Sequence, residues 1–220
     1  MNVTREILGI RYELYQATDL VEMAAVQAAA FTSGAEPVIG AVGASFQQFE
    51  DFIKLLGPLI ERDGLTIVAR EIASGAMVGS SIHLDMATEN PAEVRELEWF
   101  APALSLLDEM DALYLQQYWQ GRHPGPGEMF HFCWGAVLPA FQGRHIDQRM
   151  VDVSIELGIA RNYRTAVVEA SGLASQHVFR KRGFAERVEI PYKSYLYRGQ
   201  RPFASVAEVP SIILLDRAYP

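Results

Sequence analysis

The sequence predicts a mixed α/β fold, on three observations. Half of its 220 residues are apolar, which is enough to bury one substantial core. Along the chain, apolar positions switch between the alternation of a strand and the period of about 3.6 residues of a helix. No internal repeat or low-complexity block interrupts this order. We therefore expect one domain, spanning residues 1–220, with a mixed sheet flanked by helices.

The N-terminal elements are predicted from alternation and from helix caps. Residues 10–16 alternate apolar and polar side chains like a half-buried strand. Asp19 and Glu22 have the spacing of a reciprocal helix cap, and Ser45 and Gln48 repeat it. Two amphipathic helices are therefore expected after the first strand.

The middle of the chain contains a predicted hairpin and a loop. Residues 65–71 and 76–84 are rich in β-formers and flank a short Ala-Ser-Gly connection, which is typical of an antiparallel hairpin. A helical stretch covers about residues 103–119. Residues 121–127 hold two prolines and three glycines, so we expect no regular structure there.

The C-terminal part begins with a strand, a turn and an amphipathic helix. Residues 129–137 are apolar enough for a buried strand, and apolar side chains recur with the helical period over residues 146–160. The elements predicted after them are a strand at 165–170, a helix at 175–182, and strands at 184–190 and 211–215.

Composition excludes several classes of function. The net charge is −8 and no Lys/Arg-rich tract is present, which argues against nucleic-acid binding and suits a cationic substrate. The single Cys133 cannot form an internal disulfide, and the five histidines lack paired metal-ligand spacing. The N-terminus has no apolar stretch of signal-peptide length, and no apolar run in the sequence is long enough to span a membrane. We expect a cytoplasmic protein without a metal or a membrane partner, and leave a homodimer open.

The turn between the strand at 129–137 and the next helix is the strongest candidate for ligand binding. Amides at a helix N-terminus are unpaired and lie at the positive end of the helix dipole, so they can bind phosphate. An ordinary βα turn is the alternative, because neither a P-loop nor a G-x-G-x-x-G fingerprint is present.

Residues 137–146, VLPAFQGRHI, resemble the acetyl-CoA motif of the GNAT superfamily of acyltransferases, Gln/Arg-x-x-Gly-x-Gly/Ala, with Gln142 at its first position. Residues 169–176 and 179–184 resemble the fifth strand, the fourth helix and the following corner of that family. Residues 31–37, FTSGAEP, resemble the acidic Glu-Pro segment of insect-type arylalkylamine N-acetyltransferases. The resemblance covers about residues 10–219.

The resemblance implies a twisted, mostly antiparallel sheet whose central parallel strands splay apart between flanking helices. It implies acetyl-CoA as the cosubstrate and a small-molecule primary amine as the acceptor, with no metal. Pantetheine would pair with Ala136, Val137 and Leu138. The pyrophosphate would bind amides of the loop formed by Gln142, Gly143, Arg144, His145, Ile146 and Asp147.

Three residues match catalytic positions of the arylalkylamine branch. Glu36 matches the general base that accepts the ammonium proton, directly or through water. Ser171 and Ser175 match two serines at the reaction centre. The structural alternatives are a surface loop glutamate, a strand-end hydroxyl and, for Ser175, a helix N-cap.

Three residues depart from the family pattern. His145 and Asp147 replace small residues, and the carboxylate of Asp147 would repel pyrophosphate. Phe179 stands where many members have a tyrosine that protonates the leaving thiolate. A catalytically weakened acyl-CoA sensor or interaction domain is therefore the alternative function, with acylation of a protein or an aminoglycoside as a third.

Six aromatic residues are candidates for an amine pocket, through ring contacts and cation–π attraction, or else for core packing. They are Trp99, Phe100, Tyr114, Tyr118, Trp119 and Tyr192. We interpret His83, His131 and His177 as packing or surface residues.

Overall fold

Eight strands form one sheet in the computed structural model, which describes residues 4–220. Residues 1–3, where the predicted domain begins, lie outside the described residues. The strands are β1 Thr4–Ile7, β2 Ile10–Leu14, β3 Ile67–Glu71, β4 Met77–Asp85, β5 Met129–Val137, β6 Thr165–Ala170, β7 Ala185–Pro191 and β8 Ser211–Ala218. They lie in the order β1-β2-β3-β4-β5-β6-β8-β7. The pair β5–β6 is parallel and the other neighbouring pairs are antiparallel, which confirms the predicted fold class.

Helices cover both faces of the sheet. They are α1 Leu20–Phe31, α2 Pro37–Val42, α3 Phe46–Asp63, α4 Ala101–Tyr118, α5 Ile146–Ala160 and α6 Leu173–Arg180. The core on one face is built with α1, α2, α3 and α4, and the cores on the other face with α5 and α6. Across residues 4–220, no helix is long and apolar enough to cross a membrane.

The parallel strands β5 and β6 separate toward their carboxyl ends, as predicted. They pair only where residues 129–132 face residues 165–168. On its other side, β5 pairs with β4. Ile82 of β4 faces Trp134 and the next residue, His83, faces Phe132, so Cys133 is an extra, bulged residue. A bulge bends its strand and increases the local twist. It therefore accompanies the divergence of β5 from β6 and opens a cleft between them.

The helix caps are partly as predicted. Ser45 and Gln48 form the expected reciprocal cap, with Gln48 N–H to Ser45 Oγ at 3.2 Å and Ser45 N–H to Gln48 Oε1 at 2.9 Å. The predicted cap between Asp19 and Glu22 was wrong. Asp19 lies in a 3₁₀ turn before α1 and accepts the Gln16 amide.

Glu22 binds the neighbouring hairpin instead. Its carboxylate accepts the Met77 amide at 2.8 Å and the Arg70 guanidinium at 2.6 Å, and these contacts tie α1 to the β3–β4 hairpin. This hairpin was predicted correctly.

Candidate functional site

A cavity of about 1250 Å³ opens where β5 and β6 diverge. It extends from the turn before α5 to α2 and α4. Nine of the residues predicted for the site line it: Glu36, Ala136, Val137, Gln142, Gly143, Ile146, Asp147, Ser171 and Ser175. Segments that are distant in sequence therefore meet at one cavity. Leu138, Arg144 and His145 are next to these residues in the chain but do not line the cavity.

The turn before α5 presents unpaired backbone amides. Gly143 and His145 have φ angles of +76° and +59°, in the left-handed region, and α5 begins directly afterwards at Ile146. Within residues 4–220, no oxygen accepts a hydrogen bond from the amides of residues 143–147. These amides lie at the positive end of a helix of 15 residues, a geometry that suits a phosphate group.

The left-handed backbone conformation at residues 143 and 145 favours small residues at these positions of the motif. Glycine adopts φ near +60° without strain, whereas a side chain at that angle costs energy. His145 nevertheless adopts it, and its exposed ring lies with Nδ1 at 3.1 Å from Nε2 of Gln148 on its own helix. The side chain therefore leaves the amides beside it open.

One edge of β5 faces the cleft. The Leu138 amide donates to Val78 O on β4 at 2.9 Å. Successive amides of a strand point to opposite edges, so the peptide groups of Val137 point away from β4, into the cleft. An extended ligand could therefore pair with β5 at this residue. Beyond Phe132, β6 does not pair with β5.

Glu36 is the N-cap of α2 and not a surface loop residue. Its Oε2 accepts the Ile39 amide, and Pro37 is the first residue of the helix. Pro37 also packs on Gly172, where an added Cβ would lie 3.8 Å from Pro37 Cδ. This contact holds the Glu36 segment against the segment that carries Ser171.

The carboxyl of Glu36 has a raised pKa. Burial raises the pKa, and the Ser171 hydroxyl and the Ile39 amide lower it by a smaller amount. A carboxyl with a raised pKa is a stronger base than an ordinary one once it is ionised, which suits proton abstraction near neutral pH. Helix capping and proton acceptance can coexist, because a carboxylate has more than one free lone pair.

The two serines occupy different local structures. The Tyr192 hydroxyl donates to Ser171 O at 2.7 Å and fixes that backbone at the end of β6. The structural alternative for Ser175, a helix N-cap, is not what the structure has, since α6 begins at Leu173 and Gly172 is the N-cap. Ser175 Oγ instead donates to Gly172 O at 2.9 Å and accepts the Gly172 amide at 3.3 Å. The catalytic roles of both serines stay predictions.

The aromatic wall of the cavity differs from the prediction. Where the cavity borders the core built with α1, α3 and α4, it is lined by Phe31, Phe52, Phe100 and Trp134. The Trp134 ring lies 5.4 Å from the rings of both Phe31 and Phe52. Of the six predicted aromatics, Phe100 is the one that lines this cavity within residues 4–220.

Other predicted aromatic residues pack elsewhere. Tyr114, which is fully buried, donates to Asp216 at 2.7 Å and receives the Trp119 indole N–H at 3.2 Å.

Trp134 was missed because it lies next to the bulge at Cys133, which shifts the alternation of β5 and has no sequence signal.

A second group of titratable side chains also lines the cavity. His131 on β5 lies with Nε2 at 2.7 Å from Oε2 of Glu169 on β6, and Asp111 of α4 is beside them. Sequence reasoning missed Asp111 and Glu169 and interpreted His131 as a packing or surface residue. In residues 4–220, no group of three or more His, Cys, Asp or Glu is arranged to hold a metal ion.

The pKa values in this group are perturbed in opposite directions. Burial lowers the pKa of His131, but Cys133 and Glu169 outweigh burial and hold it well above its ordinary value. Burial raises the pKa of Glu169, but His131, together with a smaller contribution from the neighbouring Asp111, more than offsets this. Burial and the adjacent Glu169 raise the pKa of Asp111 well above that of an ordinary aspartate. The group therefore contains an ion pair and a carboxyl that tends to stay protonated.

No protein-family model matches this sequence, and no curated protein matches it. Several solved structures do match it. The C-terminal condensation domain of Ebony in complex with β-alanyl-dopamine matches with a TM-score of 0.87 at 11% identity, covering 97% of this chain and 100% of that one. Arylalkylamine N-acetyltransferase 2 from Aedes aegypti matches with a TM-score of 0.77 at 19% identity, covering 95% and 98%.

A third similar structure is the Drosophila melanogaster polyamine N-acetyltransferase, an enzyme that forms N-acetylagmatine. It matches with a TM-score of 0.74 at 15% identity and covers 96% of this chain and 100% of that one. At such identities the likeness establishes the fold. The protein has the GNAT fold in the form found in arylalkylamine and polyamine N-acetyltransferases, as the sequence resemblance implied.

Proposed function

We propose that this protein is an N-acetyltransferase that transfers an acetyl group from acetyl-CoA, or another short acyl group from its own CoA thioester, to the primary amine of a small molecule. The observation that supports this most is a convergence. Glu36, Ser171 and Ser175 line the same cavity as the split between β5 and β6 and the turn with unpaired amides at 143–147. The acetyltransferases that share the fold include an arylalkylamine and a polyamine N-acetyltransferase.

The residues around the cleft are suited to CoA. The amides of residues 143–147 would bind the pyrophosphate, and the peptide groups of Val137 would pair with the pantetheine. Acetyl-CoA would supply an acetyl group activated as a thioester. A direct transfer to an amine then requires no covalent enzyme intermediate.

Glu36 and the serines would handle the protons of the reaction. Glu36, ionised, would take the ammonium proton, directly or through a water, so that a neutral amine is the nucleophile. The hydroxyls of Ser171 and Ser175 are the candidate donors for the oxyanion and the departing thiolate. Phe179 has no acidic proton to donate, unlike a tyrosine. The serines would therefore replace the tyrosine acid of other family members.

The amine site would be the aromatic part of the cavity. Faces of Phe and Trp rings attract cations and pack well against apolar or aromatic carbon. The net charge of −8 also favours a cationic substrate. A sensor without activity is less favoured, because the cavity contains a carboxyl with a raised pKa that phosphate binding alone does not require.

Amine-dependent release of CoA tests the proposed function. The purified chain would be mixed with acetyl-CoA and a panel of arylalkylamines and polyamines, with free thiol measured over time and products identified by mass. We expect thiol release that requires both protein and amine, with one acetylated amine formed for each thiol. Binding of acetyl-CoA without transfer to any amine would favour the sensor.

Replacing Asp147 by asparagine should tighten CoA binding. Asp147 is exposed at the rim of the cavity, beside the amides proposed to bind pyrophosphate. Removing one like charge near a partly exposed phosphate is worth on the order of 1 kcal/mol, or several-fold in affinity. Calorimetric titration with CoA measures this. Glu156→Gln, an exposed change further along α5, controls for total charge and should leave the affinity unchanged.

A further inference from the structure

Two carboxyl groups that line the cavity each have one buried oxygen without a hydrogen-bond donor. Oδ1 of Asp111 and Oε1 of Glu169 are both buried, and within residues 4–220 neither accepts a hydrogen bond. The Glu169 side chain is only 6% exposed. An unsatisfied buried oxygen is costly, and an unsatisfied buried carboxylate more so. Such a pair therefore requires either a shared proton or a cation.

We propose that the Asp111–Glu169 carboxyl pair binds a second ammonium group of the reacting ligands, at a distance from the Glu36 centre. This inference rests on the proposed function, because it concerns ligands of the same cavity. An ammonium carries three N–H donors and no acceptor, so it can serve both carboxyls at once.

The position of the pair sets the length of the ligand. Glu169 lies on β6, which ends at Ala170, and Ser171 is the residue that follows; both line the cavity, two residues apart along the chain. Their side chains are therefore roughly 7 Å apart, at about 3.3 Å per residue. The Ser171 hydroxyl is near enough to the Glu36 carboxyl to lower its pKa. The second ammonium would therefore lie about that far from the reaction centre, a separation that a short chain of methylenes spans.

The charges of the pair are consistent with a cation and not with an anion. The ion pair of His131 and Glu169 is internally neutral, and a protonated Asp111 adds no charge. An arriving ammonium would displace the proton of Asp111, so that its charge is balanced by the carboxylate that forms. Asp108 adds a further negative charge on the same helix. An anionic group would meet these carboxyls without compensation.

The second ammonium can come from either ligand. It can be the far nitrogen of a diamine acceptor, or the amino group of an aminoacyl donor. Both present the same chemistry to Asp111 and Glu169, and two binding titrations separate them.

The test compares ligands with and without the second ammonium, without turnover. The acceptor titration compares 1,4-diaminobutane with butylamine, and the donor titration compares 3-aminopropanoyl-CoA with propanoyl-CoA, both by calorimetry on the whole chain. In at least one of them we expect wild type to prefer the ammonium ligand by about tenfold or more, as for buried hydrogen bonds to a charged group. Asp111→Asn should abolish that preference and leave the affinity for the other ligand unchanged.

Glu109→Gln is the matched control, an exposed acid on the same helix, and should keep the preference. The side-chain amide introduced by Asp111→Asn can donate to Glu169, so this variant should fold, as thermal melting would show. If it does not, Glu169→Gln serves as the second variant. A preference in the acceptor titration assigns the ammonium to the amine, and one in the donor titration assigns it to the acyl group.

Equal affinities in both titrations, or a preference that survives Asp111→Asn, would overturn the proposal. Such a result would leave the acyl transfer itself untouched, because transfer is measured separately by release of CoA. Conversely, diamine binding that depends on Asp111 without any release of CoA would count against the proposed function and not against this site.

Discussion

Glu36→Gln is expected to lower kcat for amine acetylation by about a hundredfold or more, the usual contribution of a general base. In the wild type, kcat/KM should fall as the pH drops through the raised pKa of Glu36, because a protonated carboxyl cannot accept the ammonium proton. The fall should begin at a higher pH than for an ordinary glutamate. Glutamine cannot titrate, so the variant should lose this acidic limb. Initial rates over a pH series measure both effects.

The fold of this variant should be intact, since the glutamine side-chain oxygen can still accept the Ile39 amide at the N-cap of α2. Glu89→Gln is the matched control, because Glu89 is an exposed glutamate that lines the same cavity. It should keep wild-type kcat and the acidic limb. A Glu36→Gln variant that retains both the rate and the limb would assign proton abstraction to another group or to a chain of waters.

Gly143→Val should weaken CoA binding by about tenfold or more, the equivalent of losing one or two hydrogen bonds to a charged group. The φ angle of Gly143 is +76°, a conformation that a β-branched residue strongly disfavours. The turn must therefore rearrange, and its amides lose their common direction. Calorimetric titration with CoA provides the dissociation constants.

Gly199→Val controls for strain alone. Gly199 has a φ of +77°, and an added Cβ meets nothing within 4 Å at either glycine. Gly199 also lies apart from the residues that line the cavity. Both variants should lose similar stability, but only Gly143→Val should lose affinity. If the two variants bind CoA equally well, the turn does not bind the phosphates.

The two strands and the helix within residues 129–170 were predictable because their sequence signals are local. The predicted bounds hold for residues 129–137, 146–160 and 165–170, since short runs of mainly apolar side chains and a clear helical period leave no competing assignment. The cap at Ser45 was equally local. The reciprocal cap predicted between Asp19 and Glu22 did not form. Asp19 lies in the 3₁₀ turn before α1 and its carboxylate accepts the Gln16 amide, which the spacing of the two residues does not reveal.

The candidate site was predictable only where a short motif resembles a known family. Glu36 and the turn at 142–147 lie in such motifs, and so do Ser171 and Ser175. The group of Asp111, His131 and Glu169 was not predictable. Glu169 begins the segment 169–176, but Asp111 and His131 lie in no such motif, and the three come from α4, β5 and β6 and meet only through packing. Such long-range encounters have no pattern in the sequence.

A crystal structure with a non-transferable acetyl-CoA analogue tests the central claim most directly. We predict pantetheine between the separated ends of β5 and β6, paired with Val137, and pyrophosphate oxygens within hydrogen-bond distance of the amides of residues 143–147. The acyl carbonyl should lie beside Ser171 and face Glu36. An analogue bound outside this cleft, or no binding at millimolar concentration, would contradict the account.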